Sequence, residues 1–500
     1  MAGDFLAYHE PGIVDILIII SFFFFLSLAE WFSARIIRAG IIGQIAVGII
    51  YGVPLADILE RAWQETFLAI GYVGLILIIF EGGLNIRLDL LKQNFLLSAL
   101  GAATGVCFPI GLSYLLLYLG YGYNAVETFI IGAALSATSL GTTFSVISSA
   151  AKSVDLSQTR VGSVLVSAAV IDDVVGLVLS SVIHDLGELS EPGDHPSLGW
   201  IIGRPIVASV AMALLTPVLT KYVFAPVFRR WIEQRFAKYD HISNIVLMVL
   251  VLSAFISIAS YAGTSVLFGA FLAGVFLTYL PSKHPDGPFV VMSREEGERE
   301  ADKSPTFVHT FEAYLLDVQK YLMEPLFFGS IGFAIPFLEL WTGKRIWRGI
   351  LFSLLMAFAK FVVGVWIPLW QFAKSLKPSK ADKGVRGNDQ HFKKNQLESM
   401  EPKTGKSSYP SAWLAGLLLG SAMVARGEIG LLIIEIGYNQ TDYVSQEGFI
   451  TGVWAILLNT IVGPVTVGYL VKFYGKRIGE CDWGLQDQAR PRSNDSNHCV

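Results

Sequence analysis

Apolar runs of helical length alternate along the chain with short polar connectors. That pattern predicts helices that cross a bilayer, because a crossing takes roughly 20 predominantly apolar residues to span ~30 Å of hydrocarbon. The runs fall near residues 12–33, 40–55, 66–84, 95–119, 125–150, 160–184, 198–224, 241–260, 263–280, 309–340, 346–370, 411–437 and 448–474, thirteen expected spans. The tenth joins an amphipathic stretch, Phe311 to Leu322, to a span that starts at Met323. The eighth and ninth are divided only by the turn Tyr261-Ala262-Gly263.

Composition sharpens this reading. Of 500 residues, 53% are hydrophobic and 16% charged, where soluble domains carry about a quarter charged. Mean hydropathy is +0.55. A soluble enzyme and a disordered scaffold are excluded, and a net charge of −4 excludes a nucleic-acid binder. Cys107, Cys481 and Cys499 define no disulfide framework. Asp4 and Glu10 stand where a cleavable signal would carry basic residues, so the first span is expected to remain as an anchor.

Basic residues near span ends mark the cytoplasmic side. One set of connectors holds Arg35, Arg38, Arg87, Lys92, Lys152, Arg160, Lys221, Arg229, Arg230, Arg235 and Lys238, then residues 371–409 and the tail with Lys472, Lys476 and Arg477. The other set holds Asp57, Glu60, Glu65, Glu127, Asp185, Glu188, Glu191, Asp194, Asp442 and Glu447. The C-terminus is therefore expected in the cytoplasm and the N-terminus outside or in a lumen. Lys344, Arg345 and Arg348 fall on the wrong side of this scheme. Segments 281–308 and 371–409 are expected as cytoplasmic loops and 476–500 as a short tail. No Gly-rich nucleotide fingerprint occurs in them.

Charges inside spans carry the chemistry, since each costs at least ~2.5 kcal/mol at mid-membrane on insertion scales. The sixth span contains adjacent Asp172 and Asp173, and the eleventh contains Lys360. Neighbouring helix positions lie ~100° apart, so one carboxylate can line a cavity while the other meets an adjacent helix. An Asp–Lys pair alone could be a structural salt bridge. The second carboxylate leaves a spare negative charge, which a proton or a bound cation must meet.

The fifth span reads Gly132-Ala-Ala-Leu-Ser136-Ala-Thr138-Ser139-Leu-Gly141-Thr142-Thr143, and the twelfth Gly420-Ser-Ala-Met-Val-Ala425-Arg426-Gly427-Glu428. Small and hydroxylic residues weaken a helix. Aligning Gly132 with Gly420 also matches Ala134 with Ala422 and Ala137 with Ala425. The two spans run in opposite directions, as inverted repeats with interrupted helices do at a transporter's midplane site. Intact helices packing through small residues are the alternative. Arg426 and Glu428 suit the exposed dipole ends of a broken helix.

Asp172-Asp173 after the hydroxyl-rich span, with Lys360 later, resembles the aspartate-pair branch of the cation:proton antiporter superfamily. The stretches Gly43-Gln-Ile-Ala-Val-Gly48-Ile-Ile-Tyr-Gly-Val-Pro54, Phe80-Glu81-Gly-Gly-Leu84 and Arg426-Gly-Glu428-Ile-Gly-Leu fit as well. The resemblance covers about residues 12–475. It implies an all-α polytopic membrane protein with an inverted-repeat core (about 95–184 and 346–474) and a dimerisation panel (about 12–84 and 198–340). It also implies sodium/hydrogen exchange, or K⁺ or Li⁺ in place of Na⁺, by an elevator motion that is electrogenic, with no organic cofactor and no resident metal. Asp173 would carry cation and proton, Asp172 would partner Lys360, and Thr138 and Ser139 would lie at the crossing. A potassium efflux path on the same scaffold is the competing reading; the nucleotide-binding domain of such members is not seen here. An intramembrane aspartyl protease is set aside, because adjacent aspartates on one helix point apart. Glu30, Glu81 and Arg204 are expected as interface or packing residues, and Glu435 in the twelfth span stays open between packing and carrier. Plasma membrane and endomembrane stay open.

Overall fold

The computed structural model describes residues 10–86, 88–139, 159–188, 198–281, 289–291, 294, 304–375, 409–479 and 483. Gly141 to Thr143, Arg87, Lys152, Glu191, Asp194, Cys481, Cys499 and most of the two loops lie outside them.

In chain order the main helices are α1 (Ile13–Ile36), α2 (Gly40–Tyr51), α3 (Arg61–Leu84), α4 (Leu88–Ser113), α5 (Ala125–Ala134), α6 (Arg160–Glu188), α7 (Leu198–Leu219) and α8 (Asp240–Ala262). They continue with α9 (Val266–Tyr279), α10 (Phe307–Tyr314), α11 (Glu324–Ala334), α12 (Gly343–Phe361), α13 (Trp366–Ser375), α14 (Tyr409–Val424), α15 (Glu428–Asn439) and α16 (Gln446–Gly479). Among the described residues, nine helical stretches are long and apolar enough to cross a membrane, and α2, α5 and α9 are shorter apolar helices. The protein is an all-α polytopic membrane protein; among the described residues its strands are one short parallel pair, Phe289–Val291 with Ser304–Pro305.

Several boundaries differ from expectation for local reasons. The seventh span does not end at 224, because π-helical turns over Thr220–Phe224 and Phe228–Ile232 carry the helix past its basic residues to Ala237. The segment 281–308 is not all loop, since it holds both strands and the start of α10. The segment 371–409 begins as helix, because α13 extends to Ser375. The last helix runs to Gly479 and takes the first residues assigned to the tail. Between α8 and α9, Gly263 turns the chain at φ 78°, a left-handed conformation that costs a glycine little.

The three basic residues that run against the expected sidedness lie beside two carboxylates. Arg348 meets Glu447 at 2.7 Å, Lys344 meets the same carboxylate at 3.6 Å, and Arg345 meets Glu339 at 2.8 Å. Arg348 also lies 4.5 Å over the Tyr121 ring.

Helix contacts fall into two sets. α1 packs on α2, α11 on α2 and α3, and α9 on α3 and α8. Close approach comes from small residues, as between helices in lipid: a Cβ placed on Gly48 would lie 2.0 Å from the carbonyl oxygen of Gly329. In the second set α4 packs on α5, α6 and α12, α16 on α12 and α14, and α15 on α5 and α6. The sets meet where α7 contacts α6 and where α11 contacts α15.

Candidate functional site

Two helices stop in the middle of the second set. α5 ends at Ala134, the Leu135 amide making its last turn's bond to the Ile131 carbonyl at 3.0 Å, and residues 137–139 continue as non-helical chain; α14 ends at Val424, and 425–427 separate it from α15. The aligned small residues predicted this pair of interruptions. The breaks cross each other: the Ser139 amide donates to the Ala425 carbonyl at 2.9 Å. Gly427 permits the approach, since a Cβ there would stand 2.5 Å from the Ser139 side chain. Such breaks leave backbone donors and acceptors that a helix would have consumed.

Asp172 and Lys360 meet beside this crossing, and both are fully buried. The Lys360 ammonium donates to Asp172 Oδ2 at 2.9 Å and to Thr138 Oγ1 at 2.9 Å. Thr138 in turn donates to Asp172 Oδ2 at 2.5 Å. The three side chains close a triangle formed by the first break, α6 and α12. Gly105 of α4 leaves room for the ammonium, which would lie 3.3 Å from a Cβ at that position.

Asp173 faces elsewhere, as the ~100° step along α6 requires. Its side chain is partly exposed, and its Oδ1 has no hydrogen-bond partner among the described residues. Glu428, Asp172 and Lys360 all act on it electrostatically. Glu428 opens α15 and accepts from Ser139 Oγ at 3.5 Å. Arg426 is the largest fully buried side chain. Its Nη1 donates to the Met423 carbonyl at 3.1 Å, while Nε and Nη2 have no hydrogen-bond partner among the described residues. Its charge acts on both Lys360 and Asp172. Thr460 Oγ1 of α16 donates to the Arg426 carbonyl at 3.1 Å and ties the break to that helix.

The structure thus gathers Thr138, Ser139, Asp172, Asp173, Lys360, Arg426 and Glu428 around one crossing. Three carboxylates face two fixed cations. Glu30 and Glu81, expected at interfaces or in packing, and Glu435, left open, each sit in a polar pair: Glu30 accepts from Gln44 at 2.8 Å, Glu81 from Gln319 at 2.6 Å and Glu435 from Asn439 at 2.6 Å. Arg204 donates to the Tyr261 carbonyl at 3.3 Å.

Sequence reasoning missed two contributors. The Met423 carbonyl lies 3.3 Å from Thr138 Oγ1 as well as near Arg426, and a backbone group carries no sequence signal. Glu127 was read only as a marker of sidedness. It is buried and accepts from the Ser445 amide at 2.9 Å and hydroxyl at 2.5 Å, which fixes the start of α5 against the turn before α16. Its place in the first turn of an expected helix was the available clue.

Comparison with known proteins bears on the family and the fold. A family model described as "Sodium/hydrogen exchanger, transmembrane" matches residues 18–473. The chain is 22% identical over 462 residues to a Na⁺/H⁺ antiporter of Enterococcus hirae, covering 89% of this chain and 95% of that protein. It is 24% identical to the Na⁺/H⁺-K⁺ antiporter GerN of Bacillus cereus, covering 88% and 92%. Its fold resembles that of the sodium proton antiporter MjNhaP1 from Methanocaldococcus jannaschii, with a TM-score of 0.56 at 18% identity over 92% of this chain and 99% of that one.

Proposed function

The chain belongs to the sodium/hydrogen exchanger family, and from that premise we propose that it exchanges a monovalent cation against protons, with Na⁺ ahead of K⁺ and Li⁺. It acts as a secondary transporter and not as an enzyme. The observation that carries this reading is the charge balance at the crossing. Lys360 is bound to Asp172 at 2.9 Å, which leaves Asp173, with its unpartnered Oδ1, to hold the exchanged ion.

A proton or a cation satisfies Asp173 equally well in charge, and either one excludes the other. Exclusive occupancy is what couples the two flows, because the site crosses the membrane loaded with one or the other. Hydroxyls and carbonyls at the breaks, Thr138 and Met423 among them, offer oxygen ligands of the kind that hard cations prefer. Lys360 holds Asp172 in place; when a cation draws on both carboxylates it releases Asp172 and gives up its proton to water, so that one proton from Asp173 and one from Lys360 leave for each cation bound. A cycle that moves more protons than cations in this way carries net charge.

For the motion, α4–α6 and α12–α16 form the moving core and α1–α3 with α7–α11 the stationary panel, through part of which two copies form a homodimer. The two contact sets support that division, and the core moves as an elevator. The basic connectors face the cytoplasm and the N-terminus the opposite side.

Reconstituted into vesicles, Asp173→Asn should abolish cation exchange driven by a pH gradient. Exchange at the wild-type rate in that variant would overturn the assignment. Running the wild type with each cation in turn fixes selectivity. The second reading, a potassium efflux path, is favoured by the potassium in GerN's description; single-channel currents would support it.

A further inference from the structure

We propose that Trp483 is a positioning residue for the transport site: it ties the ends of α6 and α13 together and thereby sets how Asp172 and Lys360 meet. Trp483 follows the last helix and is 2% exposed. Its carbonyl accepts from the Val161 amide at 3.1 Å, and its indole N–H donates to Gln371 Oε1 at 3.0 Å. The Arg160 guanidinium lies 4.5 Å over its ring. It belongs to one buried apolar cluster with Leu97, Val164, Ile367 and Ile478.

Arg160 and Val161 open the helix that carries Asp172, and Gln371 belongs to the helical run that carries Lys360. Both anchors lie roughly three turns from the charged pair. The two helical runs are held apart by shared neighbours: α4 contacts α6, α12 and α13, and α14 contacts the same three. The Asp172–Lys360 bond bridges them at mid-membrane, and Trp483 bridges them at one end.

The run from Lys360 to Gln371 is not uniform helix. Val362–Val365 is 3₁₀, a tighter winding that often marks a hinge when it interrupts an α-helix. A hinge with a free end lets Lys360 change its distance from Asp172. A hinge whose far end is tied to the base of α6 holds that distance within a narrow range. Trp483 supplies the tie with a hydrogen bond on one side, and a ring contact and a backbone bond on the other.

The inference rests on the antiport reading of the same site. In vesicles carrying the full chain, Trp483→Ala should lower apparent Na⁺ affinity about five- to tenfold, the low end of coupling between separated sites. The pH profile of exchange should shift with it, while the protein still elutes as one folded species. Trp483→Phe keeps a ring beneath Arg160 and loses only the bond to Gln371; Gln371→Leu loses that bond from the other partner. Both should move affinity and profile in the same direction by less. If Trp483→Ala does not fold, these two variants decide the matter. Affinity and pH profile superimposable on the wild type in the folded variants would overturn the tie while leaving the antiport reading intact. Absence of exchange in the wild type would bring down both.

Discussion

The first helix and the interrupted twelfth crossing invert the rule familiar from soluble proteins. α1 reaches a mean hydropathy of 2.4 yet is 11% buried over that stretch, whereas 412–439 reaches only 1.8 and is 83% buried. In water the more apolar helix would go inside. In lipid it stays outside, because hydrocarbon tails solvate it as well as another helix does. The interior is reserved for segments lipid cannot accept: open backbone at 425–427, the guanidinium of Arg426 and the carboxylate of Glu428. Burial here follows polarity, and so does function.

Substitutions can break that contrast, beginning with the charged interior. Asp172→Leu leaves the Lys360 ammonium buried without its carboxylate and should cost about 3–5 kcal/mol, read as a lowered unfolding temperature in detergent. Adding Lys360→Met should restore most of that stability and none of the exchange, since an apolar pair of similar volume replaces a buried ion pair at little cost. An additive loss in the double variant would show that the pair is not coupled. Gly427→Val drives a side chain into Ser139 at the crossing and should cost about 1–3 kcal/mol as overpacking, with exchange lost. Unimpaired exchange would mean that the two breaks need not touch.

The outer helix should answer weakly. Phe24 is 60% exposed on α1, and Phe24→Ala should change stability by less than about 0.5 kcal/mol. Phe22 on the same helix is fully buried and stacks on Phe67 at 5.6 Å. A Phe24→Ala loss as large as that of Phe22→Ala would show that the outer face is covered by protein and not by lipid.

Much of the site was legible because membrane insertion makes charge expensive: Asp172, Asp173 and Lys360 are conspicuous inside apolar runs. The breaks were legible from Gly132-to-Thr143 and Gly420-to-Gly430, where small and polar residues stand in place of helix formers. Sidedness was less so. Lys344, Arg345 and Arg348 stand against the majority of the connectors, and no spacing rule joins Arg348 to Glu447 across such a stretch of chain.

The sequence by itself determined that the chain is an all-α polytopic membrane protein and which ionisable groups stand inside its apolar runs, because each depends on composition over a window of one helix. Only the tertiary structure decided that Thr138 bonds Asp172 and not Asp173, that Ser139 crosses at Ala425, and that a tail tryptophan joins two helices. Those outcomes depend on which faces of distant helices meet. Helix rotation is set by packing of small residues summed over many neighbours, a quantity no local stretch of sequence contains.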